Sequence, residues 1–250
     1  MTLRLERDGP IGRILIDRPE KRNAFNQAMW EQFPVLLGTA LIDKAIRVVV
    51  VQSASPGMFC AGADIGEMMA HKDDATWRLA NQAAINRTQH ELARLAKPTI
   101  AFIDGDCVGG GCGIAIACDI RVATAQSRIG ITPAKLGLVY PLHDIKLLID
   151  LVGPGQAKRI LYSGELFAAH EALAMGLLEL IDDNATPLAQ QIAANSAHSM
   201  HEMKRFVRRV LDGQTDDDAD TKRIFADAFD MPDFAEGSEA FVQKRKPEFR

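Results

Sequence analysis

The stretch Gly105-Asp106-Cys107-Val108-Gly109-Gly110-Gly111-Cys112-Gly113 decides the fold, because it joins a predicted buried strand to a predicted buried helix. The strand covers residues 98–103, and the helix covers the apolar segment 114–118. Glycines at such a junction permit positive φ angles and let backbone N–H groups approach a ligand without a Cβ in the way. A helix N-terminus also presents unpaired N–H groups and the positive end of the helix dipole. The stretch therefore predicts either a tight turn with close strand–helix packing or a site for an anion or a developing oxyanion.

The same stretch does not match the common motifs for nucleotide phosphates. A dinucleotide fingerprint G-x-G-x-x-G that starts at Gly109 would need a glycine at the position of Ile114. No Gly-Lys-Ser or Gly-Lys-Thr occurs in the chain, so the P-loop motif is absent as well. The sequence therefore gives little support to a nucleotide-binding site of either class.

The composition is that of a soluble globular protein. The chain has 250 residues, of which 47% are hydrophobic and 25% are charged, so it is long enough to bury a sizeable core. A formal net charge of −4 gives no overall attraction to nucleic acids or anionic membranes, and neither is expected as a partner. No uncharged apolar run approaches the roughly 20 residues of a membrane-spanning helix.

Cysteine usage and the first residues predict a cytoplasmic location. The four cysteines contain no C-x-x-C pair and lie in apolar or glycine-rich surroundings, so we expect reduced and mostly buried thiols. Residues 1–8 carry a charge at every second or third position and have no apolar centre, unlike a signal peptide. No metal site is expected, because the acidic run of residues 216–218 lacks the spaced ligands of a cation site.

Predicted strands and helices alternate up to about residue 182, which is the order typical of α/β proteins. Strands are predicted for residues 3–16 (a hairpin), 46–51, 98–103, 119–123 and 177–181. Helices are predicted for residues 27–43, 65–69, 75–96, 114–118, 157–161, 168–175, 188–211 and 221–229. Only helical patterns occur from residue 187 onward. The sequence therefore predicts an α/β core over residues 1–186 and a helical region over residues 187–250.

Several motifs, in order and at the family's spacing, resemble the enoyl-CoA hydratase/isomerase (crotonase) superfamily. The motifs are Phe59-Cys60-Ala61-Gly62-Ala63-Asp64-Ile65, Lys97-Pro98-Thr99-Ile100-Ala101, the residues from Gly105 through Gly111, Cys118-Asp119-Ile120, Gly176-Leu177 and Asp233-Phe234-Ala235-Glu236-Gly237. Together they cover essentially the whole chain. The resemblance implies a spiral of ββα repeats over residues 1–186, followed by an α-helical trimerisation region over residues 187–250.

The resemblance also implies a ligand and an assembly. Coenzyme A thioesters are the expected substrates, so coenzyme A arrives as part of the substrate and no permanently bound cofactor is expected. The helical region implies a homotrimer or a hexamer. The two cations of the pair Lys21 and Arg22 would attract the negatively charged phosphates of the coenzyme, although two charges in a loop are also typical of solvated surface. The positions that the resemblance places against the coenzyme are Lys21, Arg22, Ala24, Ala61, Asp64 and Ile65.

By the same resemblance, the backbone N–H groups of Ala63 and Gly110 would form an oxyanion hole. Two N–H donors, one of them at a helix N-terminus, stabilise the charge that develops on a thioester oxygen as an enolate forms. No side chain is needed for this task, so alanine and glycine can perform it. Taken alone, Ala63 is equally typical of a packing alanine.

The chain departs from the family at two positions that matter for catalysis. Hydratases of this family use two glutamates as acid and base on a water, and the matching positions here are Gly113 and Pro133. Neither residue has a carboxylate. Other glutamates fit helix surfaces or a helix start and are not predicted to replace them; these are Glu67, Glu91 and Glu165. Hydration is therefore doubtful, although an acyl-CoA enzyme that acts through an enolate remains the first hypothesis.

Two alternatives remain open. Loss of CO2 from a malonyl-type thioester, such as a methylmalonyl or ethylmalonyl thioester, generates an enolate without a base. The run from Thr132 to Tyr140 resembles the decarboxylase branch of the superfamily. Tyr140 would orient the leaving carboxylate or donate a proton, or else it is a core tyrosine. His143 is a second candidate acid near neutral pH, or a surface histidine on a loop. The other alternative is a non-catalytic subunit that binds acyl-CoA.

Overall fold

In the computed structural model, which describes residues 2–249, the described chain forms ten strands and ten α-helices. The strands are β1 (Leu3–Asp8), β2 (Ile11–Ile16), β3 (Val48–Ser53), β4 (Met58–Cys60), β5 (Thr99–Ile103), β6 (Asp106–Val108), β7 (Ile120–Ala123), β8 (Arg128–Gly130), β9 (Phe167–Ala168) and β10 (Leu180–Ile181). The helices are α1 (Gln27–Ile42), α2 (Ile65–Ala70), α3 (Ala75–Ala93), α4 (Gly110–Ala117), α5 (Leu142–Ser163), α6 (Ala169–Ala174), α7 (Thr186–Ala193), α8 (Ala197–Leu211), α9 (Ala219–Asp227) and α10 (Pro232–Gln243).

The strands form two sheets that arise from one repeated unit. A six-stranded sheet has the order β1-β2-β3-β5-β7-β10, and a four-stranded sheet has the order β4-β6-β8-β9. In each unit a strand of the large sheet is followed by a short strand of the small sheet and then by a helix. The units are β3-β4-α2, β5-β6-α4 and β7-β8-α5, and their strands pair in parallel. The predicted α/β class with ββα repeats is therefore confirmed.

The centre of the large sheet, strand β3, is buried on both faces, as its composition requires. Val48 to Val51 are completely buried, and alternate residues contribute to two separate apolar clusters. Val49 and Val51 pack in the main core with Trp30 and Phe33 of α1. Val48 and Val50 belong to a smaller cluster that includes residues of α7. A continuous β-branched run is the pattern expected of such a strand.

The glycine stretch contains a strand and a helix start that the sequence pattern does not predict. Helix α4 begins at Gly110, four residues before the predicted start at Ile114, because these glycines adopt helical geometry despite their low helix propensity. Gly105 has φ +86°, and a Cβ there would lie 2.1 Å from backbone atoms of Gly57. The close approach of two backbones explains the glycine.

Helix α5 corrects the prediction most strongly. The predicted helix 157–161 is only its end; the helix starts at Leu142 and contains a kink at Gly153, where φ is +71°. His143 therefore lies in a helix and not in a loop. The predicted helix 188–211 is also wrong as one element, because the chain breaks between α7 and α8. Ser196 caps α8 by accepting a hydrogen bond of 3.1 Å from the N–H of Ser199.

The C-terminal helices expose large aromatic side chains. Phe225, Phe229 and Phe234 form edge-to-face contacts, yet at least half of the surface of each is exposed. Phe241 of α10 is 85% exposed. An apolar surface of this kind is typical of a protein–protein contact. The four cysteines are buried and free, as predicted. None of the helices in the described chain combines the length and the apolar character that crossing a membrane requires.

Candidate active site

A cavity of about 390 Å³ lies where the glycine stretch, α3 and the start of α5 meet. Most of its wall is apolar. The cavity contains both backbone positions singled out from the sequence, Ala63 and Gly110, together with Tyr140. The apolar wall includes Trp30, Met68, Trp77, Ile85, Leu136 and Val139. A mostly apolar cavity with a few convergent polar groups is the usual form of a small-molecule site.

The backbones at Ala63 and Gly110 lie side by side at this cavity. A Cβ built on Gly110 would lie 3.4 Å from the nitrogen of Ala63, and one built on Gly62 would lie 3.0 Å from the nitrogen of Gly110. Gly110 is the first residue of α4, so its N–H has no partner within the helix. Within residues 2–249, neither N–H has a hydrogen-bond acceptor. Two free N–H donors therefore border one cavity.

A short backbone pairing holds the Ala63 segment in place. The N–H of Phe25 donates to the carbonyl of Gly62 at 2.7 Å, and the N–H of Asp64 donates to the carbonyl of Phe25 at 2.8 Å. These two bonds flank Ala63 and leave its N–H unpaired. Asn23, which the sequence analysis missed, fixes the same loop: its buried amide donates at 2.8 Å to the carbonyl of Met58.

The positions of the two missing glutamates differ in their surroundings. Pro133 lines the cavity at the start of a short 3-10 turn and supplies no titratable group. At Gly113 a Cβ would lie 2.1 Å from Nε2 of Gln89 and 2.9 Å from the hydroxyl of Tyr140. The space that a side chain at position 113 would need is thus occupied by an amide and a phenol.

Tyr140 is buried and its hydroxyl is fixed. The hydroxyl donates to the carbonyl of Gly109 at 3.1 Å, and only 7% of the residue is exposed. Burial raises the pKa of Tyr140 well above its ordinary value, so the phenol is protonated at neutral pH. The sequence allowed either a core tyrosine or a tyrosine at the active site. In the structure Tyr140 belongs to the core and also lines the cavity.

Asp144 is the carboxylate that the sequence analysis missed. It lies in the first turn of α5, lines the cavity, and has a side chain that is 1% exposed. Burial raises its pKa to about 7, and the side chain of Gln89 opposes part of this rise. The amide of Gln89 is thus close to Asp144, yet within the described chain neither Asp144 Oδ2 nor either amide atom of Gln89 forms a hydrogen bond of ordinary distance and angle. A correct prediction of the start of α5 would have placed Asp144 in its first turn, but the periodicity of the sequence did not reveal that start.

His143 points to a different cluster. It does not line the cavity, and its Nδ1 lies 3.3 Å from Oδ1 of Asp144. Its ring lies 5.5 Å from that of His90, and its Nε2 is 3.4 Å from the guanidinium of Arg94. Burial, followed by the charges of His90 and Arg94, lowers the pKa of His143. The structure therefore separates His143 from the two N–H donors.

The residues expected against the coenzyme fall into two groups. Ala61 and Ile65 line the cavity, whereas Lys21, Arg22 and Ala24 lie outside it. Lys21 and Arg22 are exposed, and the guanidinium of Arg22 lies 3.5 Å from Asp106.

Asp64 also lies outside the cavity lining and has a structural partner. Its carboxylate caps α2 and forms an ion pair of 2.8 Å with Arg18. Burial alone would raise the pKa of Asp64, but the bonds to Arg18 and to backbone N–H groups lower it. The carboxylate therefore stabilises the loop that holds Ala63.

The glutamates considered as replacements do not reach the cavity. Glu67 accepts the N–H of Gln27 at 2.8 Å, and Glu91 is paired with Arg87. Glu165 is absent from the cavity lining as well. Within the described chain, no group of three or more His, Cys, Asp or Glu side chains is arranged to hold a metal ion.

Comparison with known proteins relates the chain to one family along its whole length. The sequence model described as enoyl-CoA hydratase/isomerase matches residues 6–250. The short-chain-enoyl-CoA hydratase of Clostridium acetobutylicum is 30% identical, with 98% of this chain and 95% of the relative covered. The 2,3-dehydroadipyl-CoA hydratase of Escherichia coli is 33% identical over 95% of this chain and 94% of the relative. A solved structure from Hyphomonas neptunium, assigned to the enoyl-CoA hydratase/isomerase family, is 36% identical with a TM-score of 0.95 and covers 100% of this chain and 98% of its own.

Proposed function

Since the chain belongs to the enoyl-CoA hydratase/isomerase family, we propose that it is an enzyme that converts acyl-CoA thioesters through a thioester enolate. The observation that carries the proposal is the pair of free N–H groups at Ala63 and Gly110 beside one apolar cavity. When the thioester carbonyl accepts both hydrogen bonds, charge that develops on its oxygen is stabilised in a site of low polarity. The loss of one such donor reduces turnover about 100- to 1,000-fold in enzymes that use them.

Hydration is not the reaction that these residues favour. Addition of water across a double bond needs one group to activate the water and another to protonate the α-carbon. Gly113 and Pro133 supply neither group. The proposal is therefore restricted to reactions that form or consume the enolate with fewer proton-transfer groups.

Decarboxylation is the second candidate, and the position of Tyr140 favours it. When a malonyl-type thioester loses CO2, the electron pair of the broken C–C bond enters the enolate, so no base is needed. A proton must then be added at the α-carbon. The protonated, buried hydroxyl of Tyr140 lies beside Gly113 at the apolar cavity, where a leaving carboxylate would be poorly solvated.

Coenzyme binding and assembly complete the proposal. Lys21 and Arg22 lie in an exposed segment that leads into Phe25, whose backbone pairs with the Ala63 segment. Their positive charges would attract and contact the phosphates of the coenzyme. The exposed aromatic side chains of α9 and α10 would pack against further copies of this chain, which gives a homotrimer or a hexamer.

A substrate panel tests the proposed function. Crotonyl-CoA, malonyl-CoA, methylmalonyl-CoA and ethylmalonyl-CoA are incubated with the enzyme, and the products are identified by mass spectrometry. Loss of CO2 without hydration of crotonyl-CoA supports the decarboxylase candidate. Efficient hydration of crotonyl-CoA contradicts the argument from Gly113 and Pro133. Binding of coenzyme A thioesters with no reaction of any kind supports a non-catalytic subunit instead.

A further inference from the structure

We propose that Asp144 is the catalytic residue that exchanges a proton with the α-carbon of the bound thioester, and that Gln89 positions its carboxyl group. This inference rests on the proposed function, because it concerns the group that makes or consumes the same enolate. It adds a proton-transfer residue at a position that neither glutamate of the hydratases occupies.

One carboxylate oxygen of Asp144 is unpaired in the described part of the chain. Asp144 is almost completely buried, and its Oδ2 has no hydrogen-bond partner within residues 2–249. A buried polar atom without a partner is unfavourable, and more so when it is charged, so such atoms are rare in folded proteins. The residue lines the cavity that contains Ala63 and Gly110, so a small rotation of its side chain would bring the carboxyl group to a bound ligand.

Two further buried polar side chains, those of Gln89 and Trp30, belong to residues that line the same cavity as Asp144. Gln89 of α3 is 1% exposed and lies close enough to Asp144 to lower the pKa of its carboxyl group, although neither atom of its amide forms a hydrogen bond of ordinary geometry among the described residues. The indole N–H of Trp30 is also buried and unpaired. All three side chains line the same cavity. Three buried polar side chains thus surround one apolar cavity, and only Asp144 among the three can take up and release a proton.

The proposed step balances with one carboxyl group. In its ionised form Asp144 takes a proton from the α-carbon: the C–H bond breaks, an O–H bond forms, and the electron pair moves onto the thioester oxygen between the N–H groups of Ala63 and Gly110. The same carboxyl returns the proton to the α-carbon, or to the γ-carbon when the acyl chain carries a double bond between its β- and γ-carbons, which becomes conjugated in the enolate. The second course shifts the double bond and needs no water. The substrate class is therefore an acyl-CoA with an acidic α-hydrogen, in particular a 3-enoyl thioester.

The surroundings of Asp144 suit a carboxyl group that both accepts and donates a proton. Gln89 faces it from α3, His143 touches it from the same turn of α5, and Tyr140 is a third neighbour, because the charge of Asp144 contributes to the raised pKa of its phenol. Besides burial, the charges of His90, Arg94, Arg208 and Lys146 lower the pKa of His143 and so favour its neutral form beside Asp144. Since burial raises the pKa of Asp144 to about 7, both protonation states are populated near neutral pH, where an acid–base residue is most effective.

Hydrogen–deuterium exchange at carbon tests the inference. Butyryl-CoA and 3-butenoyl-CoA are incubated with the enzyme in D2O, and deuterium uptake is followed by NMR and mass spectrometry. We expect the wild-type enzyme to label the α-carbon and Asp144→Asn to lower kcat for exchange at least about 100-fold with little change in KM. The matched control is Asp150→Asn on the same helix, where the carboxylate is paired with Lys146, and it keeps the wild-type rate.

The outcomes separate the inference from the proposed function. If the wild-type enzyme labels the substrate and Asp144→Asn labels it equally fast, the role of Asp144 is wrong and the enolate stands. If the wild-type enzyme binds both thioesters but neither exchanges nor transforms any thioester, the proposed function and this inference both fail. Circular dichroism shows whether Asp144→Asn folds. If it does not fold, the pH profile of wild-type exchange decides: a rate that rises with an apparent pKa near 7 supports Asp144, and a rate without such a pKa contradicts it.

Discussion

Replacing Asp144 by asparagine is expected to stabilise the protein at alkaline pH and to have little effect on stability in acid. The reason is the burial of an ionisable carboxyl group. The folded state holds the proton of Asp144 with a pKa of about 7, whereas the ordinary value for an aspartate is 3.8. Between these two values the folded protein binds more protons than the unfolded chain. The free energy of unfolding of the wild-type protein therefore falls as the pH rises through this range.

The size of the effect follows from the two pKa values. Each pH unit of difference corresponds to about 1.36 kcal/mol, so a rise from 3.8 to about 7 amounts to roughly 4 kcal/mol. An asparagine has nearly the same shape and does not ionise. The stability difference between Asp144→Asn and the wild-type protein should therefore be small at pH 4 and should increase by about 4 kcal/mol by pH 8.

Urea unfolding at pH 4, 6 and 8 measures this difference. Both proteins are followed by circular dichroism at one protein concentration, so that any assembly contributes equally. Asp150→Asn serves as the control, because its carboxylate is ion-paired with Lys146 and its replacement should not reproduce the trend. A stability difference for Asp144→Asn that stays constant from pH 4 to pH 8 would refute the raised pKa and the reasoning built on it.

Three further substitutions test other parts of the site. Gly62→Ala places a Cβ at φ +98°, 2.9 Å from the carbonyl oxygen of Val108 and 3.0 Å from the nitrogen of Gly110, so the backbone must shift and turnover should fall about 100-fold; full activity would contradict the arrangement of the two donors. Tyr140→Phe removes one hydrogen bond and should lower the free energy of urea unfolding by about 1 kcal/mol, and an unchanged value would show that this bond is not stabilising. Replacing Lys21 and Arg22 together by alanine should raise KM for acyl-CoA about tenfold with kcat unchanged in steady-state kinetics, whereas an unchanged KM would place the coenzyme elsewhere.

Long apolar runs and family motifs predicted most of the fold. Strand β3 was visible because its residues are continuously β-branched, and the repeating order of strands and helices indicated the α/β class. Strands such as β4 were missed because a segment of three residues, Met58–Cys60, shows no periodicity. Their existence depends on pairing with strands that lie far away in the sequence.

The candidate site was predictable from backbone positions within sequence motifs, and not where side chains from distant elements meet. Ala63 and Gly110 stood in recognisable motifs, and the structure places them together. Gln89 and Asp144 lie 55 positions apart on two helices, and nothing in either local sequence indicates that both line one cavity. Since α5 lacks a side-chain cap at its start, the helix boundary that places Asp144 was also hidden.

The crowding at Gly113 limits how this protein could acquire a new reaction during evolution. A mutation of Gly113 to glutamate would introduce the family's carboxylate, but its Cβ would meet the amide of Gln89 and the hydroxyl of Tyr140. Overpacking of this kind destabilises proteins by about 1–3 kcal/mol, so the single mutant would lose stability before it gained activity. Replacement of Gln89 or Tyr140 by a smaller residue first would leave a cavity. Under the proposed function, hydratase chemistry is thus separated from this chain by an epistatic barrier, because a carboxylate at position 113 requires a compensating change at Gln89 or Tyr140.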